Sequence, residues 1–317
     1  MTKSSEKPIE KHNLLIIGSG PAGLSAAIYA ARAELNPILL TGMTLHGQVS
    51  VTDVVENYPG FPEGVSGSEL GQLFQTQAER FGAEIVMDQV TSVNLSKQPY
   101  IIETYGKKYE VKALIISTGA DHRKLGVPGE QSLIGRGVSY CGTCDGWFFK
   151  DKDIVVVGGG DSALEEGLFL TRFANSVTII HRRDELRAGA ILQKRAFNNP
   201  KIKFIWDTVV TEILGEDSVE AVNLKNVKTG DENVHETEGV FIFISHTPNS
   251  ALFADYLESD DKGYLVVNKN METNLPGVFA AGEVADPAFR QIVTSTGMGA
   301  AAAIQATHYF ESLEEDR

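Results

Sequence analysis

Two glycine-rich segments, each held between a strand-like apolar run and a helix-like run, restrict the folds open to this chain more than any other feature. The first starts from the apolar run Leu14–Ile17 and passes through Gly18-Ser19-Gly20-Pro21-Ala22-Gly23. It then enters an Ala-rich stretch, Leu24–Ala33, that reads as a helix, with Leu35–Leu40 as the next strand. The second starts from the mostly β-branched strand Asp153–Val157 and passes through Gly158-Gly159-Gly160-Asp161-Ser162-Ala163. It continues as a helix over Leu164–Phe173 and a strand over Val177–Ile180. These are G-x-G-x-x-G and G-x-G-x-x-A, each inside a βαβ unit. Such a turn needs glycine because the chain must bend tightly, admit a pyrophosphate to its backbone and pack its helix on the strand, while the helix N-terminus stabilises the phosphate charge. One copy is matched by many structural turns, but two copies in the same context predict two dinucleotide sites. The expected class is α/β, with two Rossmann-like dinucleotide-binding domains.

A chain of 317 residues has room for about two such domains without disulfide staples. Its 28 Lys and Arg against 42 Asp and Glu give a net charge of −14. That balance argues against nucleic acid or an anionic membrane as the main partner, since both demand clustered cations. The polar start, Met1–Asn13, holds no apolar segment of the secretory kind, so a cytoplasmic location is expected. Leu14–Ala31 is uncharged over a length that could span a membrane, but Gly18, Gly20, Pro21 and Gly23 suit a strand, a turn and a helix instead.

The residues after each second strand distinguish the two ligands. Past Gly158 by about twenty residues, where an NAD enzyme places a carboxylate for the ribose, this chain has His181-Arg182-Arg183-Asp184-Glu185-Leu186-Arg187. Guanidinium forks suit a 2′-phosphate, so NADPH is implied. The first unit ends in Thr41-Gly42 with no carboxylate, which leaves room for FAD.

The two cysteines of the chain stand together as Cys141-Gly142-Thr143-Cys144. A C-x-x-C loop can close a reversible disulfide with lowered thiol pKa. Zinc would need about four ligands, and neither a second C-x-x-C nor an H-x₃₋₅-H pair is present. A static disulfide is disfavoured without a secretion signal, which leaves redox catalysis as the leading reading. Asp145 follows at once, either as a proton donor to thiol exchange or as a cap on the turn into Gly146-Trp147-Phe148-Phe149. The three aromatics read as core or domain-interface residues.

Taken together, these residues resemble the low-molecular-weight, bacterial-type thioredoxin reductases over about Leu14 to Tyr309. The resemblance rests on the first glycine loop, Val55-Glu56-Asn57-Tyr58-Pro59-Gly60, Cys141-Gly142-Thr143-Cys144-Asp145-Gly146, His181-Arg182-Arg183-Asp184, and Ala280-Ala281-Gly282 followed by Arg290-Gln291. It implies an FAD domain made of residues 1–118 and 249–317, an NADPH domain with the C-x-x-C over 119–248, and two subunits per molecule. It also implies an activity: reducing equivalents pass from NADPH through FAD to the Cys141–Cys144 disulfide and on to thioredoxin or a thioredoxin-like protein. Flavin contacts carry over to Gly18, Gly20, Pro21, Ala22, Gly23, Gly47, Gln48, Asn57, Gly282, Glu283, Arg290 and Gln291. Nicotinamide dinucleotide contacts carry over to the second loop at Gly158 and Gly160, and to Ser162, His181, Arg182, Arg183 and Arg187. Cys141 is then the thiol that meets the protein substrate, Cys144 the one that meets flavin, and Asp145 the acid. A ferredoxin–NADP reductase-like flavoenzyme shares the architecture but needs no C-x-x-C. Hinges near Gly119–Arg123 and His246–Asn249 would let the inserted domain rotate between two working orientations.

The chain departs from the usual family pattern at three places. Glu283 stands where Asp is usual after the glycine, Gly142 where Ala is usual between the cysteines, and Ser245 where Gly is common before His246. The first makes the flavin-facing carboxylate one methylene longer, and the second predicts a looser dithiol loop.

Overall fold

The computed structural model describes residues 7–52, 54–244 and 246–315, so Ser245 lies outside the described residues. The chain divides into two units, one formed by residues up to Asp121 together with those from Thr247 onward, the other by His122–His246. The segments that cross between them, Ala120–His122 and His246–Pro248, pair as a two-stranded sheet. Among the described residues no helix is long and apolar enough to cross a membrane.

The first unit is built on a parallel sheet ordered Glu84–Val86, Ile38–Leu40, Ile9–Ile17, Lys108–Ile116. Lys108–Ile116 shares its far edge between two partners. Its first half pairs antiparallel with Tyr100–Thr104 and its second half parallel with Val278–Ala280. The run Leu14–Ile17 is buried on both faces, as a central parallel strand must be. This strand starts at Ile9, earlier than the apolar run. Ile9–Asn13 alternates exposed and half-buried residues, and charge pairs tie it to its surroundings: Lys107 Nζ to Glu10 at 2.7 Å and Lys11 Nζ to Glu110 at 3.0 Å. The first helix begins at Pro21, where a missing N–H is harmless and the fixed φ suits the first turn, and it ends at Arg32. It packs on the closing helix Ile292–Glu315. Tyr309 and Phe310 pack this helix against the core, and it runs on to Glu315.

The second unit repeats the plan with a parallel sheet ordered Val138–Ser139, Gly239–Ile242, Asp153–Val157, Ser176–Ile180, Ile202–Ile205. An antiparallel meander, Thr208–Leu214, Ala221–Asn226 and Glu232–Glu236, adds a second layer of strands. Val155, Val156, Val177 and Ile179 are fully buried. The helix after the second glycine loop spans Asp161–Leu170, three residues earlier at each end than the apolar pattern suggested. This is an α/β fold with two Rossmann-type units.

Candidate functional site

In the first unit the glycine loop lies where strand, helix and the returning chain converge. Gly18 has φ of +104°, and a Cβ there would strike the Ser117 carbonyl, so only glycine fits. The Ser117 hydroxyl donates to the carbonyls of Ile17 at 2.8 Å and Gly18 at 3.1 Å and ties the loop to the neighbouring strand. Gly20 is the N-cap of the first helix and offers no side-chain cap, while a Cβ built there would meet nothing within 4 Å. Pro21, Ala22 and Gly23 form the first turn. An ideal Cβ on Gly47 would lie 3.3 Å from Gly20 Cα, so these two backbones run side by side, and Gln48 donates to the Ala120 carbonyl at 3.1 Å.

The returning segment completes this site. Gly282, at φ +78°, places its absent Cβ 2.8 Å from Ala22 Cβ, and Asn57 Nδ2 donates to Gln291 Oε1 at 3.2 Å across 234 residues of sequence. Glu283 Oε1 is buried without a hydrogen-bond partner and lies 4.0 Å from Arg290 Nε. Arg290 has an unusual positive φ of 52° for a residue with a side chain. Burial raises the Glu283 carboxyl to about 7 and outweighs Arg290, which opposes the shift, while Asp286 and Asp121 reinforce it. A group with a pKa of 4.5 when unfolded and about 7 in the fold holds its proton longer in the fold. The unliganded protein therefore loses stability as pH rises through that window. An open glycine turn, uncapped helix N–H groups and a buried acceptor without a donor fit a dinucleotide carrying hydroxyl groups.

The second unit holds the other loop. Gly158 has φ of +151°, and a Cβ on it would meet Phe243 O at 2.5 Å. Gly160 is an uncapped helix N-cap with open space around it. Gly159 is pressed against the ring of His181, which is buried, and the Nε2 of that ring makes no hydrogen bond. Burial pushes the His181 pKa down, and the charges of Arg187, Arg183 and Arg182 push it further, while a hydrogen bond that the ring donates to the Glu185 backbone opposes them. The three guanidinium groups are exposed, and among the described residues none makes an ion pair with a carboxylate. The nearest acid in sequence, Asp184, is taken by Lys228 Nζ at 2.6 Å. Ser162 sits in the first turn of the Asp161–Leu170 helix. An uncapped turn beside three uncommitted Arg side chains fits a phosphorylated dinucleotide.

The same helix supports the cysteine pair. Cys141 and Cys144 form a disulfide with Cα atoms 5.3 Å apart, across a single helical turn, Gly142–Asp145. Cys141 caps that turn: its Sγ accepts from the Cys144 N–H at 3.2 Å and from the Thr143 hydroxyl at 3.4 Å. Asp145 makes no side-chain cap on the following turn, Gly146–Phe149; its Oδ2 accepts from the Ser139 hydroxyl at 2.6 Å instead. Ser139, buried and unremarked in the sequence, also accepts from the Cys141 N–H at 3.0 Å, so one hydroxyl links the cysteine backbone to the acid. Tyr140 donates to Glu130 at 2.7 Å, and desolvation raises the phenol's pKa. The core half of the aromatic expectation holds for Phe149, which is buried, and not for Trp147 and Phe148, which are 56 % and 45 % exposed. Trp147 is anchored at its edge by Phe173 and covered by Lys150, which leaves an apolar surface next to the disulfide in sequence.

The family model described as pyridine nucleotide-disulphide oxidoreductase matches residues 12–299. A thioredoxin reductase of Streptomyces coelicolor is 49 % identical over 307 residues, covering 96 % of this chain and 95 % of that protein. One from Bacillus subtilis is 47 % identical over 305 residues, with 96 % of each covered. The crystal structure of thioredoxin reductase from Streptococcus pyogenes superposes with a TM-score of 0.91 at 46 % identity, covering 95 % of this chain and 99 % of that one.

Proposed function

Since the chain belongs to the thioredoxin reductases, within the pyridine nucleotide-disulphide oxidoreductases, we propose that it is an NADPH-dependent flavoenzyme that reduces thioredoxin through Cys141 and Cys144. The observation that carries the reading is the closed Cys141–Cys144 disulfide, built on the helix that opens at the second glycine loop. The first loop, Gly47-Gln48, Asn57, Glu283, Arg290 and Gln291 are the residues we assign to FAD. A bound flavin supplies two-electron transfer between pyridine nucleotide and disulfide. The protein's own residues carry the outward step. The Cys141 thiolate attacks the thioredoxin disulfide to give a mixed disulfide and a thioredoxin thiolate, which takes a proton from Asp145. The Cys144 thiol then passes its proton to the Asp145 carboxylate and attacks the Cys141 sulfur, re-forming the Cys141–Cys144 disulfide and releasing the second thiolate, which takes that proton. Trp147 and Phe148 offer the apolar contact surface for the protein substrate, and the working molecule is a homodimer in the cytoplasm. The deciding experiment is an NADPH-linked disulfide assay with and without thioredoxin; turnover that ignores thioredoxin would defeat the reading.

Arg182, Arg183 and Arg187 lead to a measurable preference. Charge-assisted forks on a 2′-phosphate contribute on the order of 1.5–3 kcal/mol, so kcat/KM for NADPH should exceed that for NADH by about tenfold or more. Changing Arg182 and Arg183 together to Ala should narrow the gap. Equal kcat/KM for the two cofactors in the unaltered enzyme contradicts the assignment.

Glu283 gives a prediction with a sign. A ribitol hydroxyl that donates to the carboxylate favours its ionised form, so FAD binding releases a proton near pH 7 and affinity rises with pH through that region. Glu283→Gln should flatten this dependence, and Glu283→Ala should cost about 1.5–3 kcal/mol of FAD binding. Flavin affinity that is the same in the Ala variant and the parent rules the contact out.

A further inference from the structure

The residue between the cysteines that departs from the usual pattern has a specific neighbour. A Cβ on Gly142 would be driven into Glu166 Oε2 and would lie 3.4 Å from Leu170 Cγ. Glu166 and Leu170 lie one turn apart on the Asp161–Leu170 helix. Gly146, just past the dithiol turn, is set the same way, with Leu170 at 3.1 Å and Phe173 at 3.2 Å from its absent Cβ. Two glycines thus let the cysteine turn lie flush on this helix, and at the Gly142 end the atom occupying the vacated space is a carboxylate oxygen. Glu166 Oε2 is buried from solvent. A leucine methyl would fill that space at no electrostatic cost, so placing an acid there has consequences for the sulfurs on either side.

We propose that Glu166 is a positioning residue for the dithiol: Gly142 admits its carboxylate to the backbone between Cys141 and Cys144, where it opposes negative charge on the reduced sulfurs. Screening by water is weak for a buried oxygen, so a negative charge there disfavours a nearby thiolate more than a surface acid does. Among the described residues, the other acids of the dithiol turn and of the Asp161–Leu170 helix are engaged elsewhere or exposed. The Gly146–Phe149 turn has no titratable side chain, Asp161 accepts from the Gly189 N–H at 2.7 Å, and Glu165 is exposed. Asp145, on the dithiol turn itself, is tied to Ser139. A dithiol that is not stabilised as thiolate gives up its electrons more readily, the opposite of an oxidising pair whose reduced form is stabilised. Glu166 therefore biases the pair toward donating electrons outward.

This rests on reading Cys141–Cys144 as the working dithiol, and its test needs no thioredoxin. The NADPH-reduced holoenzyme is treated with iodoacetamide across a pH series, and the alkylation rate of Cys141 and Cys144 is followed by mass spectrometry. Glu166→Gln should move the rise in alkylation to lower pH by about one unit, so that below the onset the rate is about tenfold higher than in the parent. Gly142→Ala, which expels the carboxylate and keeps its charge on the chain, should shift the profile the same way, and the double variant should shift it no further than Glu166→Gln alone. Profiles of both single variants that superimpose on the parent's overturn the proposal. So does a Gly142→Ala shift that is added in full on top of Glu166→Gln. Thioredoxin turnover, measured separately on the same proteins, shows whether the function reading stands apart from this one.

Discussion

Serine at position 144 should stop thioredoxin reduction at the covalent stage and leave one thioredoxin attached to the enzyme through Cys141. With Cys144 gone, the mixed disulfide has no neighbouring thiol to resolve it, so turnover falls to the uncatalysed background while a dithiothreitol-sensitive adduct accumulates. The geometry supports Cys141 as the attacking thiol. Its sulfur accepts the Cys144 N–H at 3.2 Å and the Thr143 hydroxyl at 3.4 Å, two donors that stabilise a thiolate once the disulfide is opened. Cys141→Ser should also abolish turnover but yield no adduct. Mass analysis of each variant after mixing with oxidised thioredoxin and NADPH separates the cases. An adduct formed by Cys141→Ser and not by Cys144→Ser would reverse the two roles, and turnover surviving in either would remove the dithiol from the reaction.

The parts of this molecule visible in its sequence are those where backbone geometry permits one residue type. Gly18 at φ +104° and Gly158 at φ +151° cannot carry a side chain without striking a neighbouring carbonyl, so both turns declare themselves as strand, glycine loop and helix. The cysteine pair is legible because two thiols three residues apart can close on each other. What stayed hidden depends on partners distant in the chain. Ile9–Asn13 has too many charges to read as strand; its pairing with Lys108–Val111 and the ion pairs of Glu10 and Lys11 make it one. Trp147 and Phe148 are apolar enough for a core, yet Phe149 alone reaches one, against Phe241 and beside Gly239. Ser139 has the composition of any strand-end serine, and only the fold sets its hydroxyl between the Cys141 N–H and Asp145. Glu166 reads as a helix-surface acid until the dithiol turn is laid against it.

The Ser139 hydroxyl bears directly on what Asp145 can do. A carboxyl group whose Oδ2 accepts a hydrogen bond at 2.6 Å is fixed in direction, able to carry its proton on the other oxygen, and Asp145 follows Cys144 without an intervening residue. A group so held can deliver a proton to a thiolate leaving during exchange, a service that typically contributes about 10²–10⁴-fold. Asn at 145 keeps the volume and still offers an oxygen to the Ser139 hydroxyl, but it has no proton to give at neutral pH. Asp145→Asn should therefore lower thioredoxin-linked turnover by about 10²–10⁴-fold, with melting temperature and flavin content close to the parent's. Ser139→Ala leaves the acid in place and loosens it, so its loss should be smaller, nearer the tenfold of one charge-assisted hydrogen bond. The pH profiles separate proton transfer from geometry: the parent and Ser139→Ala should share a limb that reports the acid, and Asp145→Asn should lack it. If Asp145→Asn turned over thioredoxin at the parent rate with an unchanged profile, the carboxyl would be a structural acceptor for Ser139, and the proton would have to come from solvent.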